Sequence, residues 1–176
     1  MRPTIPLGDY RISVYLIATR ALQAADGGDA IGCECAWCTN WRSVAATTLP
    51  SALQTQLNRL GINPASPSDL YAYDTHESGH LVRLLFYIVG AVQSGPPATI
   101  DDTLPDGTQV AGRRYASVAD APTWIGLTVA PPLGGVPRWA PDPTLSHLEV
   151  DFRLFVPWTA NGSPPPLHGR VLRDAR

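Results

Sequence analysis

Apolar and polar residues alternate most regularly near the end of the chain, between Leu148 and Trp158. One side of this segment is wholly apolar and consists of Leu148, Val150, Phe152, Leu154 and Val156. The other side is mixed and consists of Glu149, Asp151, Arg153 and Phe155. Because successive side chains of a β-strand point to opposite faces of the sheet, the pattern predicts a strand with one face in the core.

A second alternating segment runs from Leu81 to Val92. Its apolar face consists of Val82, Leu84, Phe86 and Ile88. With a helical period the same segment would be apolar almost all round, and it contains residues that form helices poorly. We therefore predict a strand here. Shorter β-rich segments predict further strands at Tyr10–Ile17, Asp69–Tyr73, Gln109–Tyr115 and Trp124–Ala130.

Helical spacing is found from about Pro50 to Leu60, where an apolar stripe consists of Leu53, Leu57 and Leu60. Thr47 or Thr48 is the expected N-cap, a proline lies in the first turn, and Gly61 ends the helix. Several strands and one short helix predict an α+β fold with a mainly antiparallel sheet.

Length and composition predict a single domain. A chain of 176 residues that is 44% hydrophobic can bury one core and is too short for two. We assign this domain to residues 1–160 and treat residues 161–176 as a proline-rich, basic C-terminal tail. The longest apolar run has about twelve residues, short of the roughly twenty that a spanning helix needs. Since no secretion signal is recognisable either, we expect a soluble, cytoplasmic protein.

The charge distribution argues against two classes of partner. A net charge of −2 and a pI near 6.0 give no overall attraction to nucleic acid or to anionic membranes, so neither is expected to bind. All 13 basic residues are arginine, which together with 18 prolines suggests a GC-rich bacterial or phage gene. Five tryptophans, several of them in predicted loops, suit a protein partner.

Three cysteines lie within six residues, at Cys33, Cys35 and Cys38. An odd, clustered set does not form a disulfide framework, whereas C-x-x-C spacing lets two thiolates reach one Zn²⁺ ion. The spacing predicts a structural zinc site whose fourth ligand would come from His76, His80 or another distant residue.

Two other interpretations of the cysteines stay open. In a thiol oxidoreductase, Cys35 would attack a disulfide and Cys38 would resolve the product, although Arg42–Thr48 separate the pair from the predicted helix. Alternatively, the cysteines are small buried residues beside Trp37.

An H-E-x-x-H string, formed by His76, Glu77 and His80, offers a different zinc chemistry. In a peptidase-like metallohydrolase both histidines bind Zn²⁺ from one helical face, and the glutamate acts as general base for the metal-bound water. The string also resembles the HEAGH-type site of membrane-anchored AAA proteases. However, the residues that follow predict a strand, and Gly79 would cost about 1 kcal/mol inside a helix. We therefore interpret the string as a polar turn.

The order of several short motifs resembles a family of small uncharacterised bacterial proteins. The motifs are CECAWCTNW, LPSALQTQLNRLGINPASPSDLYAYD, GHLVRLLFYIVGAV and LEVDFRLFVPW, and the resemblance covers Tyr10–Trp158. This family has no activity to transfer, and its histidine before V-G is absent from Phe86–Gly90. The resemblance implies that Thr75–Gly79 is a variable turn between two strands.

Together these observations predict a small soluble interaction or structural protein without catalytic activity, with a zinc ion held by the cysteines. The alternatives are a minimal H-E-x-x-H zinc metallohydrolase and a C-x-x-C thiol oxidoreductase.

Overall fold

The computed structural model describes residues 2–25, 30, 32–76, 79–103, 106–119 and 124–167, and for residues 76, 102 and 109–111 it describes the backbone alone. These residues form three helices, α1 (Leu16–Ala24), α2 (Ala36–Thr48) and α3 (Ser51–Arg59). They also form nine strands: β1 (Thr4–Leu7), β2 (Tyr10–Val14), β3 (Asp69–His76), β4 (Gly79–Ser94), β5 (Thr99–Thr103), β6 (Gln109–Arg113), β7 (Ala116–Ala119), β8 (Ile125–Ala130) and β9 (His147–Val156). None of the three helices in this part of the chain has the length and apolar character needed to cross a membrane.

Seven strands form one sheet. Six of them follow the order β1-β2-β4-β9-β8-β7. The seventh, β3, pairs with the first half of β4, on the same edge that β2 pairs with further along the strand. Strands β5 and β6 form a separate hairpin. Every pairing between these strands is antiparallel. The α+β fold with a mainly antiparallel sheet is therefore confirmed.

The longest ladder joins β4 to β9 through ten residue pairs, from His80 opposite Val156 to Val89 opposite His147. This register places the two predicted apolar faces on the same side of the sheet, because residues that face each other point the same way. The combined face belongs to a core cluster with buried side chains of the helices, among them Trp41, Val44, Leu53 and Leu57. Both strong strand predictions are thus confirmed.

The opposite face of this ladder is also largely buried, although it carries charges. Two guanidinium nitrogens of Arg83 donate to both carboxylate oxygens of Asp151, which also accepts from the Tyr115 hydroxyl at 2.8 Å. Arg113 lies 2.6 Å from Glu149. The side chain of Asp151 is 0% exposed and that of Glu149 is 6% exposed. We call these five residues the polar layer, and their charges are tolerated because they are paired.

Helix α1 occupies the edge of β4 that β2 and β3 leave open. The Thr19 hydroxyl accepts from the Val89 N–H at 3.0 Å and donates to the Val89 carbonyl at 3.4 Å. The Gln23 amide donates to the Tyr87 carbonyl. Two side chains of α1 therefore make the hydrogen bonds that a neighbouring strand would otherwise make. The backbone groups of β4 at this edge are satisfied in this way.

Two helices were not predicted. The expected strand Tyr10–Ile17 ends at Val14, and α1 begins at Leu16 because leucine, alanine, arginine and glutamine in this segment favour a helix. Helix α2 contains several poor helix formers and is stabilised by packing instead. Its buried stripe, at helical spacing, includes Trp37, Trp41, Val44 and Ala45.

The start of the predicted helix also needs correction. Thr47 and Thr48 end α2 and do not cap the next helix, because the N-cap of α3 is Pro50, whose side chain makes no capping hydrogen bond. The helix itself, Ser51–Arg59, is where the leucine spacing predicted it.

Replacement of Asp151 by asparagine should destabilise the protein by about 3 kcal/mol, because Arg83 would be left buried beside a neutral group. The measurement is the free energy of unfolding in a chemical denaturant. The matched control is Asp9→Asn, at an exposed position, for which we expect a change below about 0.5 kcal/mol. Equal stability of the two variants would contradict a stabilising role for the polar layer.

Candidate metal centre

The three cysteines converge on one point at the beginning of α2. The Sγ atoms of Cys33, Cys35 and Cys38 all lie within 4.8 Å of one another. Their surroundings differ, since Cys38 is buried, Cys33 is half-buried and Cys35 is exposed. The centre therefore combines one solvent-facing thiol with one that faces the core. We call these three residues the cysteine triad.

Helix α2 explains how the triad is assembled. Cys35 is the N-cap residue, and its Sγ accepts a hydrogen bond from the Cys38 N–H at 3.5 Å. The Cys35 N–H in turn points to the Cys33 Sγ at 3.4 Å. Free N–H groups and the helix dipole favour negative charge at this end of a helix. The segment Arg42–Thr48, which was expected to separate the cysteines from a helix, is itself part of α2.

The thiols of Cys35 and Cys38 have opposite electrostatic environments. Partial burial acts to raise the pKa of Cys35, but hydrogen bonds from the Cys38 and Trp37 backbone and from the neighbouring thiols outweigh it and lower that pKa. Burial raises the pKa of Cys38, and the thiols of Cys35 and Cys33 raise it further. The exposed thiol of Cys35 therefore ionises more readily than the buried thiol of Cys38.

The geometry of the triad suits a tetrahedral metal ion. Zn–S bonds of about 2.3 Å place two sulfurs of a tetrahedron about 3.8 Å apart, so the triad needs only a small contraction to bind. A dication would also offset the mutual repulsion of three thiolates. Within the described ranges no histidine, aspartate, glutamate or further cysteine joins the group. The triad therefore offers three of the four ligands that a tetrahedral ion needs.

His80, one of the two histidines predicted as candidates for the fourth ligand, lies in an aromatic cluster. Its ring centroid is 5.1 Å from that of Trp37 and 6.1 Å from that of Trp158, both in edge-on contact. Its Nδ1 is 3.0 Å from the Thr75 hydroxyl. The residue is only 7% exposed. His80 packs beside α2 and is not grouped with the cysteines.

The H-E-x-x-H string bridges two strands. His76 is the last residue of β3, His80 lies in β4, and His76 pairs with Gly79 across the two strands. Glu77 lies outside the described residues. The histidines therefore do not share the helical face that a metallohydrolase of this type requires.

Asn40 holds α2 in place through hydrogen bonds that the sequence pattern does not predict. This residue is 1% exposed. Its amide nitrogen donates to the Pro157 carbonyl at 2.9 Å, and its oxygen accepts from the backbone N–H groups of Thr159 and Ala160. The Trp37 ring contacts Trp158 with a centroid distance of 5.0 Å. The helix that carries Cys38 is thus attached to the segment after β9.

Comparisons with known proteins identify no relative: no family model, curated protein or solved structure matches the chain. The resemblance to small bacterial proteins stays a prediction.

In the metal-free, reduced protein, iodoacetamide should modify Cys35 well before Cys38, because the first thiol is exposed and has the lower pKa. Modification of Cys35 should also begin at a lower pH. Peptide mass spectrometry over a time course checks both points. Modification of Cys38 at the same rate as Cys35 in the folded protein would contradict the geometry described.

Proposed function

We propose that the protein is a small, non-catalytic interaction protein in which the cysteine triad holds a structural Zn²⁺ ion. The observation that supports this most directly is the approach of three Sγ atoms to within 4.8 Å at one helix start. Soft thiolate donors favour zinc over magnesium or calcium, and tetrahedral sites with three cysteines are common for structural zinc.

A metal at this position would tie a loop to the body of the domain. Cys33 lies in the loop before α2, where its N–H donates to the Ala30 carbonyl. Ala30 in turn donates to the Ser68 carbonyl, just before β3. A bond from the metal to Cys38 connects this loop to the buried side of α2. Because such a site rarely exists in the unfolded chain, metal binding stabilises the fold.

The role in interaction is supported by apolar side chains on the surface. Ile17 is 88% exposed and Leu133 is 74% exposed. Large exposed aliphatic residues lose unfavourable contact with water when a partner covers them. We therefore propose a protein partner.

The purified protein should contain close to one zinc ion per chain, and Cys35→Ser and Cys38→Ser should each lose most of it. The reason is that a two-thiolate site retains too few strong ligands. The measurement is elemental analysis after dialysis, with zinc added back to reduced protein. His76→Ala is the matched control, and it should keep the metal.

Two outcomes would contradict the zinc proposal. One is a reduced protein that remains free of metal after zinc is added back. The other is a metal content that falls in His76→Ala but not in Cys38→Ser, which would move the site to the histidines.

A second candidate function, thiol–disulfide exchange, is favoured by the different exposure of Cys35 and Cys38. The Cys35 thiolate would attack a substrate disulfide and release one substrate thiol. The Cys38 thiol would then lose its proton, attack the mixed disulfide at Cys35 and release the second substrate thiol. Two electrons pass to the substrate, and a Cys35–Cys38 disulfide remains.

Oxidised glutathione tests this second candidate. In Cys38→Ser a mixed disulfide with glutathione should persist at Cys35, whereas the parent protein should release glutathione and form the internal disulfide. Mass spectrometry of the quenched reaction distinguishes the two products. If the mixed disulfide is equally persistent in both proteins, Cys38 does not resolve it and the exchange function is excluded.

A further inference from the structure

A surface groove lies between β1, α1 and α3. It has a volume of about 550 Å³, and its lining includes Ile5, Leu16, Arg20, Thr55, Asn58 and Arg59. Ile5 is 3% exposed and belongs to the core, while both arginines are exposed. The groove thus combines an apolar floor with a basic rim, and no residue of α2 lines it.

The three elements that form the groove carry only positive charge. Neither α1, α3 nor β1 contains an aspartate or a glutamate, and their charged residues are Arg20 and Arg59. Among the described residues neither guanidinium has a hydrogen bond or an ion pair. Arg2 directly precedes Pro3 of the groove lining, and its guanidinium stacks on the Tyr15 ring at 3.6 Å. A basic groove on a chain with a net charge of −2 is a local feature that selects anionic ligands.

An exposed apolar side chain follows Leu16 in α1. Ile17, which is 88% exposed, lies in the first turn of α1 next to Leu16 of the lining. A small inorganic anion bound at Arg20 and Arg59 would leave Ile17 in water. A ligand that matches both the charge and the apolar surface carries anionic and aliphatic groups together.

We propose that this groove binds an acidic amphipathic segment of a partner protein. Carboxylates of the segment bind the guanidinium groups of Arg20 and Arg59, whose planar donors suit paired carboxylate oxygens. Aliphatic side chains of the segment cover Leu16 and Ile17. An apolar groove that receives one face of a helix is a common mode of peptide recognition.

This inference rests on the interaction role proposed above and does not depend on the metal. The groove and the cysteine triad share no residue. Zinc binding and peptide binding can therefore fail separately, and each variant is tested for both.

The test is fluorescence anisotropy with a labelled peptide of glutamate and leucine patterned as an amphipathic helix. The parent protein should bind it, and Arg20→Gln/Arg59→Gln should weaken binding by on the order of tenfold or more. Ile17→Ser should weaken it by a smaller factor. The matched control is Arg138→Gln, at an exposed arginine outside the groove, which should bind as the parent does.

A peptide in which glutamine replaces every glutamate should not bind measurably. Equal binding of both peptides, or unchanged binding by the double arginine variant, would overturn the proposal. Arginine-dependent binding to phosphatidylglycerol vesicles without binding to the acidic peptide would also overturn it, in favour of a membrane surface. If the double arginine variant loses peptide binding but keeps its zinc, the loss is due to the groove. If the parent protein binds the peptide but contains no zinc, the zinc proposal fails and the groove proposal is supported.

Discussion

The pairing of β4 with β9 is the constraint on which the rest of the structure depends. Ten consecutive pairs align an apolar face for the helices and a polar face for the arginine–carboxylate pairs. A slip of one residue would move every one of these side chains to the wrong face. Strands β2 and β3 together with α1 then occupy the open edge of β4, and β8 occupies the open edge of β9. The β4–β9 register therefore determines both the core and the polar layer.

The position of the cysteine triad follows from the same ladder. The end of β9 leads to Pro157 and Trp158, which Asn40 and Trp37 of α2 contact. His80, at the first pair of the ladder, packs against the same Trp37 ring. Contacts on one side of α2 thus hold its first turn, where Cys38 lies, while Cys35 remains accessible to solvent. The triad therefore lies where a surface loop meets a helix that packs on the sheet.

The features that could be predicted from the sequence are those that local residue patterns determine. Alternation identified β4 and β9, leucine spacing identified α3, and the spacing of the cysteines indicated their approach. What depends on distant contacts was missed. Helix α2 is stabilised by its buried stripe more than by propensity, and α1 directly follows β2 without a recognisable break. Glu149 and Asp151 are buried only because arginines from other strands reach them, which periodicity does not show.

X-ray absorption at the zinc edge tests the central claim, a metal centre built from the cysteine triad, most directly. The spectrum reports the number and type of atoms bound to the metal. We predict three sulfur neighbours at about 2.3 Å and one lighter oxygen or nitrogen neighbour. A spectrum without sulfur, with only oxygen and nitrogen around the metal, would contradict the claim.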